Sequence, residues 1–336
     1  MIKKLFIIFN IFLLFNIPAE AADNNKALKF LKSEILGADA QTNMEKSLRA
    51  IKKTKKVLSI VEENGEKAVE IKITKKLKGH KDDWNNTGGR SQRWELDTKN
   101  EDYIKHGIPI YAKYTFKLDD ESKAEGSILQ TVGTDKKGVP LLPSTQIAYW
   151  SEEDDDKRIV LSYHLVNKVA YPCNEDNSFF EKTTYYFTLG YQKQFKNFNT
   201  IAFKYIPSRD KNGEYIMWLN DEKIIEIYGP NVAVGEGTKF KFGLYRWLNK
   251  KSKKPTSLTI KEFSYSENCE EVLDSSKCNY NTDEKRLKKK EKGKSFAWVP
   301  FKKKNTNNIK KNVKYCKIFE KNLSAEGLKI YSLGKF

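Results

Sequence analysis

The chain has 336 residues, with 62 Lys and Arg against 44 Asp and Glu, a formal charge of +18 and a pI near 9.4. Hydrophobic residues at 39% and aromatics at 12% are ample for a core rich in Tyr, Phe and Trp, in one large β domain with extensions or two modest domains. The positive excess implies attraction to polyanions, and only three histidines (His80, His106, His164) with no CxxC pair argue against a metal-dependent mechanism.

In chain order, Met1–Ala21 opens with Lys3 and Lys4, runs apolar from Leu5 to Ile17, and ends at Ala19-Glu20-Ala21. That layout predicts a secretory signal peptide, hence a periplasmic or secreted protein with no membrane association after the signal is removed. From Asn24 to about Val61, Leu28, Leu31, Ile35 and then Met44, Leu48, Ile51 recur at helical spacing. Two helices are expected there, broken at Gly37 and packed across one end of the main domain. From Ala68 to Tyr265 the pattern becomes short, aromatic, β-branched strands: Ala68–Ile73, Arg90–Leu96, Ile110–Leu118, Ser127–Thr131, Arg158–Val166, Thr183–Leu189, Thr200–Ile206, Tyr215–Leu219, Lys223–Tyr228, Lys239–Arg246 and Ser257–Tyr265. Asn220-Asp221 reads as a hairpin turn. So many strands without helices between them predict an all-β antiparallel sandwich or jelly roll. The missing βαβ alternation and glycine-rich phosphate loops exclude nucleotide-binding α/β folds. After Cys278 come the lysine runs Lys288–Lys290, Lys302–Lys304 and Lys310–Lys311, punctuated by Trp298, Phe301, Tyr315 and Phe319. Part of this extension is expected to dock back on the sandwich. The resulting division is a leader (1–21), a helical segment (22–61), the β domain (62–268) and a basic extension (269–336). Cys269 with Cys278 is the favoured disulfide in an exported chain, with Cys173 and Cys316 as a second candidate pair.

Chemistry concentrates on a few strands. In Lys239–Arg246, alternation puts Phe240, Phe242 and Leu244 on one face and Lys241, Gly243 and Tyr245 on the other. A glycine between a cation and a phenol leaves room for a sugar ring to approach the backbone. Arg93 and Glu95 share a face and can hold each other as an ion pair, with guanidinium donors to spare. Gln130 is a neutral amide on its own strand. His164 faces away from Ile159, Leu161, Tyr163 and Leu165, and His80 lies in the loop Gly79-His80-Lys81-Asp82-Asp83-Trp84. Such a set suits β-elimination from a uronic acid residue, where the C5 proton is removable only if the carboxylate is neutralised by hydrogen bonds. Gln130 and Arg93 fit neutralisation, and Tyr245 fits protonation of the leaving oxygen. The base is His80, His164 or Tyr245, the last if neighbouring cations such as Lys241 favour its phenolate. No cofactor is required, and a structural calcium is left open.

Lys241-Phe242-Gly243-Leu244-Tyr245-Arg246 resembles the Lys-x-Gly-x-Tyr strand of jelly-roll polysaccharide lyases, its Tyr-Arg ending being closest to the family of heparin lyase I and glucuronan lyase. Arg90–Leu96 is similar to that family's Arg-x-Glu strand, Lys204 to Ile224 (Lys204, Gly213, then Tyr215–Asn220) to its strand-hairpin leading to Trp-x-Asn, and Gln130 with Pro140 and Pro143 to its glutamine strand and proline-containing loop. The resemblance covers roughly Ala68 to Tyr265. It implies a concanavalin-like jelly roll with a groove, endolytic elimination on a uronate polymer, Tyr245 as catalytic tyrosine and Gln130 as neutraliser. It makes Lys241 and Arg93 groove residues, to which Glu95, Lys239 and Arg246 are added as candidate substrate contacts. Two departures stand out: Val132 replaces a histidine common two positions after the glutamine, and Lys239 replaces an aromatic. The expectation is a monomeric polysaccharide lyase whose partner is an acidic polysaccharide and not nucleic acid. The rivals are a non-catalytic lectin-like module of the same fold and a basic surface protein.

Overall fold

Period-two alternation of apolar residues needs a second apolar face to bury against, and in this chain two antiparallel sheets supply it to each other. A computed structural model describes residues 19–37, 39–40, 44–47, 57–74, 92–98, 103–120, 124–134, 140–151, 157–172, 179–208, 212–229, 231–232, 237–247, 254–280, 315–320 and 328–330. The strands are β1 (Met44–Ser47), β2 (Leu58–Glu63), β3 (Glu66–Ile73), β4 (Gln92–Thr98), β5 (Ile104–Lys105), β6 (Ile110–Asp120), β7 (Glu125–Thr134), β8 (Pro140–Ser151) and β9 (Lys157–Pro172). They continue as β10 (Phe179–Tyr191), β11 (Asn199–Ile206), β12 (Glu214–Leu219), β13 (Glu222–Tyr228), β14 (Gly237–Trp247), β15 (Thr256–Ser266), β16 (Tyr315–Glu320) and β17 (Leu328–Ile330). One sheet has nine strands in the order β1-β4-β14-β7-β8-β9-β10, with β16 added on β9 and β5 on β14. The other has eight, in the order β17-β13-β12-β11-β6-β15-β3-β2. The fold is an all-β antiparallel sandwich of the jelly-roll class.

The chain crosses repeatedly between sheets. β14 enters the nine-stranded sheet between β4 and β7, and β15 enters the other between β6 and β3. The inward residues of all these strands meet in one core, including Trp94, Leu96, Tyr114, Phe116, Phe203, Tyr215, Phe240, Phe242 and Phe263. Phe242 of β14 stacks on Phe263 of β15 at 4.1 Å between ring centroids, locking one sheet to the other.

Every strand expected between Ala68 and Tyr265 is present, and Asn220-Asp221 turns with φ of 48° and 69°, both left-handed as a two-residue hairpin requires. The expected Cys269–Cys278 disulfide is formed; Cys173 lies outside the described residues. Two stretches of the basic extension return to the sandwich, β16 beside β9 and β17 beside β13. The leader up to residue 18 also lies outside the described residues, and among those described no helix is long and apolar enough to cross a membrane.

Two expectations about local structure are corrected. The first helix exists, α1 (Ala19–Phe30), continuing into one wider turn at Leu31–Ile35. Its Ala27, Leu31 and Ile35 enter the main core, and Asn24 accepts hydrogen bonds from the backbone N–H of Val57 and Leu58, each at 2.9 Å. The second helix does not extend over Met44–Ser47, which is an edge strand paired with β4, nor over Leu58–Glu63, a strand paired with β3; residues 39–40 are helical. Free ladder groups on β4 and β3 outweigh a weak helical periodicity. The loop expected around Pro140 and Pro143 is instead the start of β8, an interior strand. Both prolines sit where the β7–β8 register slips, opposite Thr134 and Val132, where missing ladder donors cost least.

Candidate active site on the outward face of the nine-stranded sheet

Because Trp94 and Leu96 of β4, Phe240, Phe242 and Leu244 of β14, and Leu129 of β7 all point into the core, the residues between them point outward. This brings Arg93, Glu95 and Asp97, then Lys239, Lys241 and Tyr245, then Gln130 onto one face from three adjacent strands. Arg93 stands directly opposite Tyr245, Glu95 opposite Gly243, and Asp97 opposite Lys241. On the other flank of β14, Lys241 pairs with Gln130 and Tyr245 with Ser127.

Irregularities in the ladder aim these groups. The register of β14 against β7 slips between Phe242 and Tyr245, and that of β7 against β8 slips between Ser127 and Leu129. Ile128 and Leu129 therefore both turn into the core, leaving Ser127 and Gln130 on the outward face although they are three residues apart. The Gln130 amide Nε2 donates to Ser127 Oγ at 3.0 Å, so the amide is tethered beside the residue facing Tyr245. Two glycines permit the approach. Gly243 has φ of +134°, and a Cβ there would lie 2.4 Å from the Trp94 carbonyl oxygen. At Gly126 it would lie 1.9 Å from the Tyr245 carbonyl oxygen. Gly243 was expected to make room for a sugar. The structure corrects this: the room is taken by the β4 backbone, and the glycine serves the seating of β4 against β14.

Electrostatics distinguish the residues further. Arg93 Nη1 lies 3.6 Å from Glu95 Oε2, with side chains only 11% and 4% exposed, so this is a largely desolvated pair and not a loose surface one. The Arg93 guanidinium also sits over the Tyr245 ring, 5.4 Å from its centroid. Tyr245, Arg93, Lys241 and Gln130 are all partly buried and none is sealed in the interior. The tyrosines of the interior differ: burial pushes the phenols of Tyr114, Tyr163 and Tyr215 far up, and that of Tyr205 up to about 12. Those groups stay protonated and unreachable. On β4 and β14 the outward cations Arg93, Lys239 and Lys241 face the carboxylates Glu95 and Asp97, so this described part of the face is close to charge balance rather than strongly basic.

Two candidate contacts are placed elsewhere. Arg246 shares the inward parity of Leu244 and is fully buried. Its Nη1 donates to the Ile73 carbonyl and to Gln92 Oε1, each at 3.3 Å, and its Nη2 to the Lys254 carbonyl at 2.6 Å. It ties the end of β14 to β3 across the sandwich and does not reach the outward face. Lys239 has outward parity but is 1% exposed, beside Val132. Val132 is itself buried on the Gln130 side of β7, outside the central apolar cluster. His164 lies on β9 with its backbone opposite Thr184, two residues from Ser162. His80 lies outside the described residues. Among the described residues no group of three His, Cys, Asp or Glu is placed to hold a metal ion.

The sequence reading missed the rest of the face because it missed β8. Asp97, Lys241, Gln130, Gln146, Ser162 and Tyr186 form one continuous cross-strand row over β4, β14, β7, β8, β9 and β10. At ordinary strand spacing the row is on the order of 24 Å long. The alternation in Gln146-Ile147-Ala148-Tyr149-Trp150 was the signal that could have revealed it.

No protein-family description matches this chain, and no curated protein matches it. Among solved structures it is similar to the endo-β-1,4-glucuronan lyase of the fungus Trichoderma reesei, at 17% identity over 64% of this chain and 88% of that one, with a TM-score of 0.45. It is also similar to the alginate lyase AlgAT5 of polysaccharide lyase family 7, at 14% identity over 69% and 96% of the two chains, TM-score 0.42. A third is the family 7 alginate lyase A1-II′, at 12% identity over 67% and 94%, TM-score 0.42.

Proposed function

We propose that this chain is an exported polysaccharide lyase that cleaves a uronate polymer by β-elimination. The observation that carries the reading is the gathering of Tyr245, Arg93 and Gln130 on one outward sheet face from three strands far apart in sequence. Elimination removes the C5 proton, which is α to the uronate carboxylate, and expels the 4-linked oxygen. It proceeds only if negative charge growing on that carboxylate is met by donors already in place. The Gln130 amide, oriented by Ser127, and the Arg93 guanidinium, oriented by Glu95, are such donors. Either His80 or His164 takes the C5 proton while Tyr245 hands its phenolic proton to the departing oxygen, or Tyr245, starting as the phenolate, takes the C5 proton and passes it to that oxygen. Lys241 contacts the carboxylate of a neighbouring sugar. In this scheme the donors supply the neutralisation, so no metal or organic cofactor takes part, and the chain works as a monomer.

A second reading, a carbohydrate-binding module without turnover, draws on Val132, an apolar residue on the Gln130 side of β7 where a base would be convenient. One assay separates the two. The purified chain is incubated with a panel of uronate polysaccharides headed by glucuronan and alginate, and the ultraviolet absorbance of unsaturated uronate ends is followed. A rise with falling polymer length establishes the lyase. Binding without any rise establishes the module.

A further inference from the structure

We infer that Gln146, Trp150 and Tyr186 form a sugar subsite at the far side of the same face, which holds the polymer away from the point of cleavage; the inference rests on the uronate-polymer reading above. Trp150 of β8 and Tyr186 of β10 stand with ring centroids 4.9 Å apart although β9 runs between their strands. They can meet because the outward residues beneath them, Ala148, Val160 and Ser162, are short and buried. The result is an aromatic shelf lying over small side chains, half-exposed on its outer surface.

Two donors at this shelf, Trp150 Nε1 and Gln146 Nε2, are both buried and lack a hydrogen-bond partner among the described residues. An indole N–H can only donate, and a buried donor left unmatched is costly enough that such atoms are rare in folded chains. A pyranose ring answers both features at once: its C–H face covers an aromatic ring, and its hydroxyl and carboxylate oxygens accept from N–H groups. Gln146 faces Gln130 directly across the β7–β8 ladder, and Tyr186 ends the row that runs through Lys241, so the shelf is continuous with the candidate active site. Gln146 and Trp150 lie four positions apart along β8, about 13 Å of strand, which calls for an oligosaccharide and not a single sugar.

The test is isothermal titration of the full chain carrying Tyr245→Phe, using uronate oligomers of increasing length prepared from glucuronan and from alginate. The parent is expected to bind longer oligomers more tightly. Trp150→Ala added to it should weaken the longest oligomer about tenfold and leave the shortest unmoved, flattening the length dependence. Trp150→Phe, which keeps a ring but loses the N–H, and Gln146→Leu, which is close to isosteric, should each weaken it about threefold; both are milder than the alanine variant and guard against its failing to fold. Circular dichroism and thermal midpoints matching the parent confirm that binding alone changed. Length-dependent binding that none of the three substitutions alters overturns the subsite and leaves the lyase reading standing. A parent that binds no oligomer of either polymer overturns both.

Discussion

On the outward side of the eight-stranded sheet, the buried Glu226 carboxylate accepts from Lys223 Nζ at 3.1 Å, from Tyr280 Oη at 2.9 Å and from Tyr228 Oη. Tyr280 lies two residues beyond the segment closed by the Cys269–Cys278 disulfide, whose Leu273 packs on Ala202, Ile216 and Trp218. On the outward side of the nine-stranded sheet, Gln146 and Trp150 hold unmatched donors, and Tyr245, Lys241 and Gln130 remain partly exposed. Both faces alternate in the same way along their strands, yet among the described residues one is closed by the chain's own groups and the other holds donors without a partner. A satisfied polar cluster under a disulfide-closed cover is a device of stability. On the proposed reading, the row of donors on the other face serves recognition.

The comparison breaks if substitutions on the two faces have interchangeable effects. The largest expected separation comes from Tyr245→Phe, which should lower kcat by about a thousandfold on the preferred polymer while leaving the unfolding midpoint in place. Gln130→Ala should lower kcat by about a hundredfold, again without loss of stability, because the charge developing on the carboxylate loses a donor. Steady-state rates beside thermal melts check both. Arg246→Met should do the reverse, destabilising the fold by about 3 kcal/mol in urea titration with kcat of the folded fraction retained, because the Ile73 and Lys254 carbonyls lose their buried donor. Full stability with weakened substrate binding would return Arg246 to the role of a ligand contact. Replacing Cys269 and Cys278 together by Ser should cost about 2.5 kcal/mol for a closed segment with a sequence separation of 9, and should not change the lyase rate. The smallest effect concerns pH. The Lys277 ammonium and the Ser276 hydroxyl beside Asp274 hold its carboxyl well below the usual carboxylate range. A depressed folded value means that the stabilisation is complete above the ordinary carboxylate pKa of about 3.9 and fades as acid is added below it. Protection factors against hydrogen exchange at residues 272–280, corrected for the intrinsic rate at each pH, should therefore fall in acid, and Asp274→Asn should remove that dependence.

How much of this was legible beforehand varies by element. The strands from Ala68 to Tyr265 declared themselves because β-branched and aromatic residues alternate between turn-forming ones, and this pattern is local. The outward set Arg93, Glu95, Lys241 and Tyr245 followed from parity alone, since period two leaves no freedom once the apolar face is chosen. Arg246 failed as a ligand by the same rule: it shares parity with Leu244, and the motif in which it stood obscured that. β8 was lost because Pro140 and Pro143 suggest a loop, and nothing local tells that their missing N–H groups fall at slips of the register. Met44–Ser47 was lost because an edge strand owes its state to its neighbour β4 and not to its own periodicity.

Taken alone, the order of residues determined the sandwich class, the inner and outer faces of most strands, the Asn220-Asp221 turn and the favoured disulfide, since each depends on neighbours a few positions away. Only the tertiary structure decided that β14 lies between β4 and β7, that Gly243 yields to the Trp94 backbone, and that Gln146 and Trp150 extend the row from Lys241 toward Tyr186. The physical reason is that strand order within a sheet is chosen by the global burial of apolar surface and the pairing of backbone donors. Both are sums over the whole chain, which no short window contains.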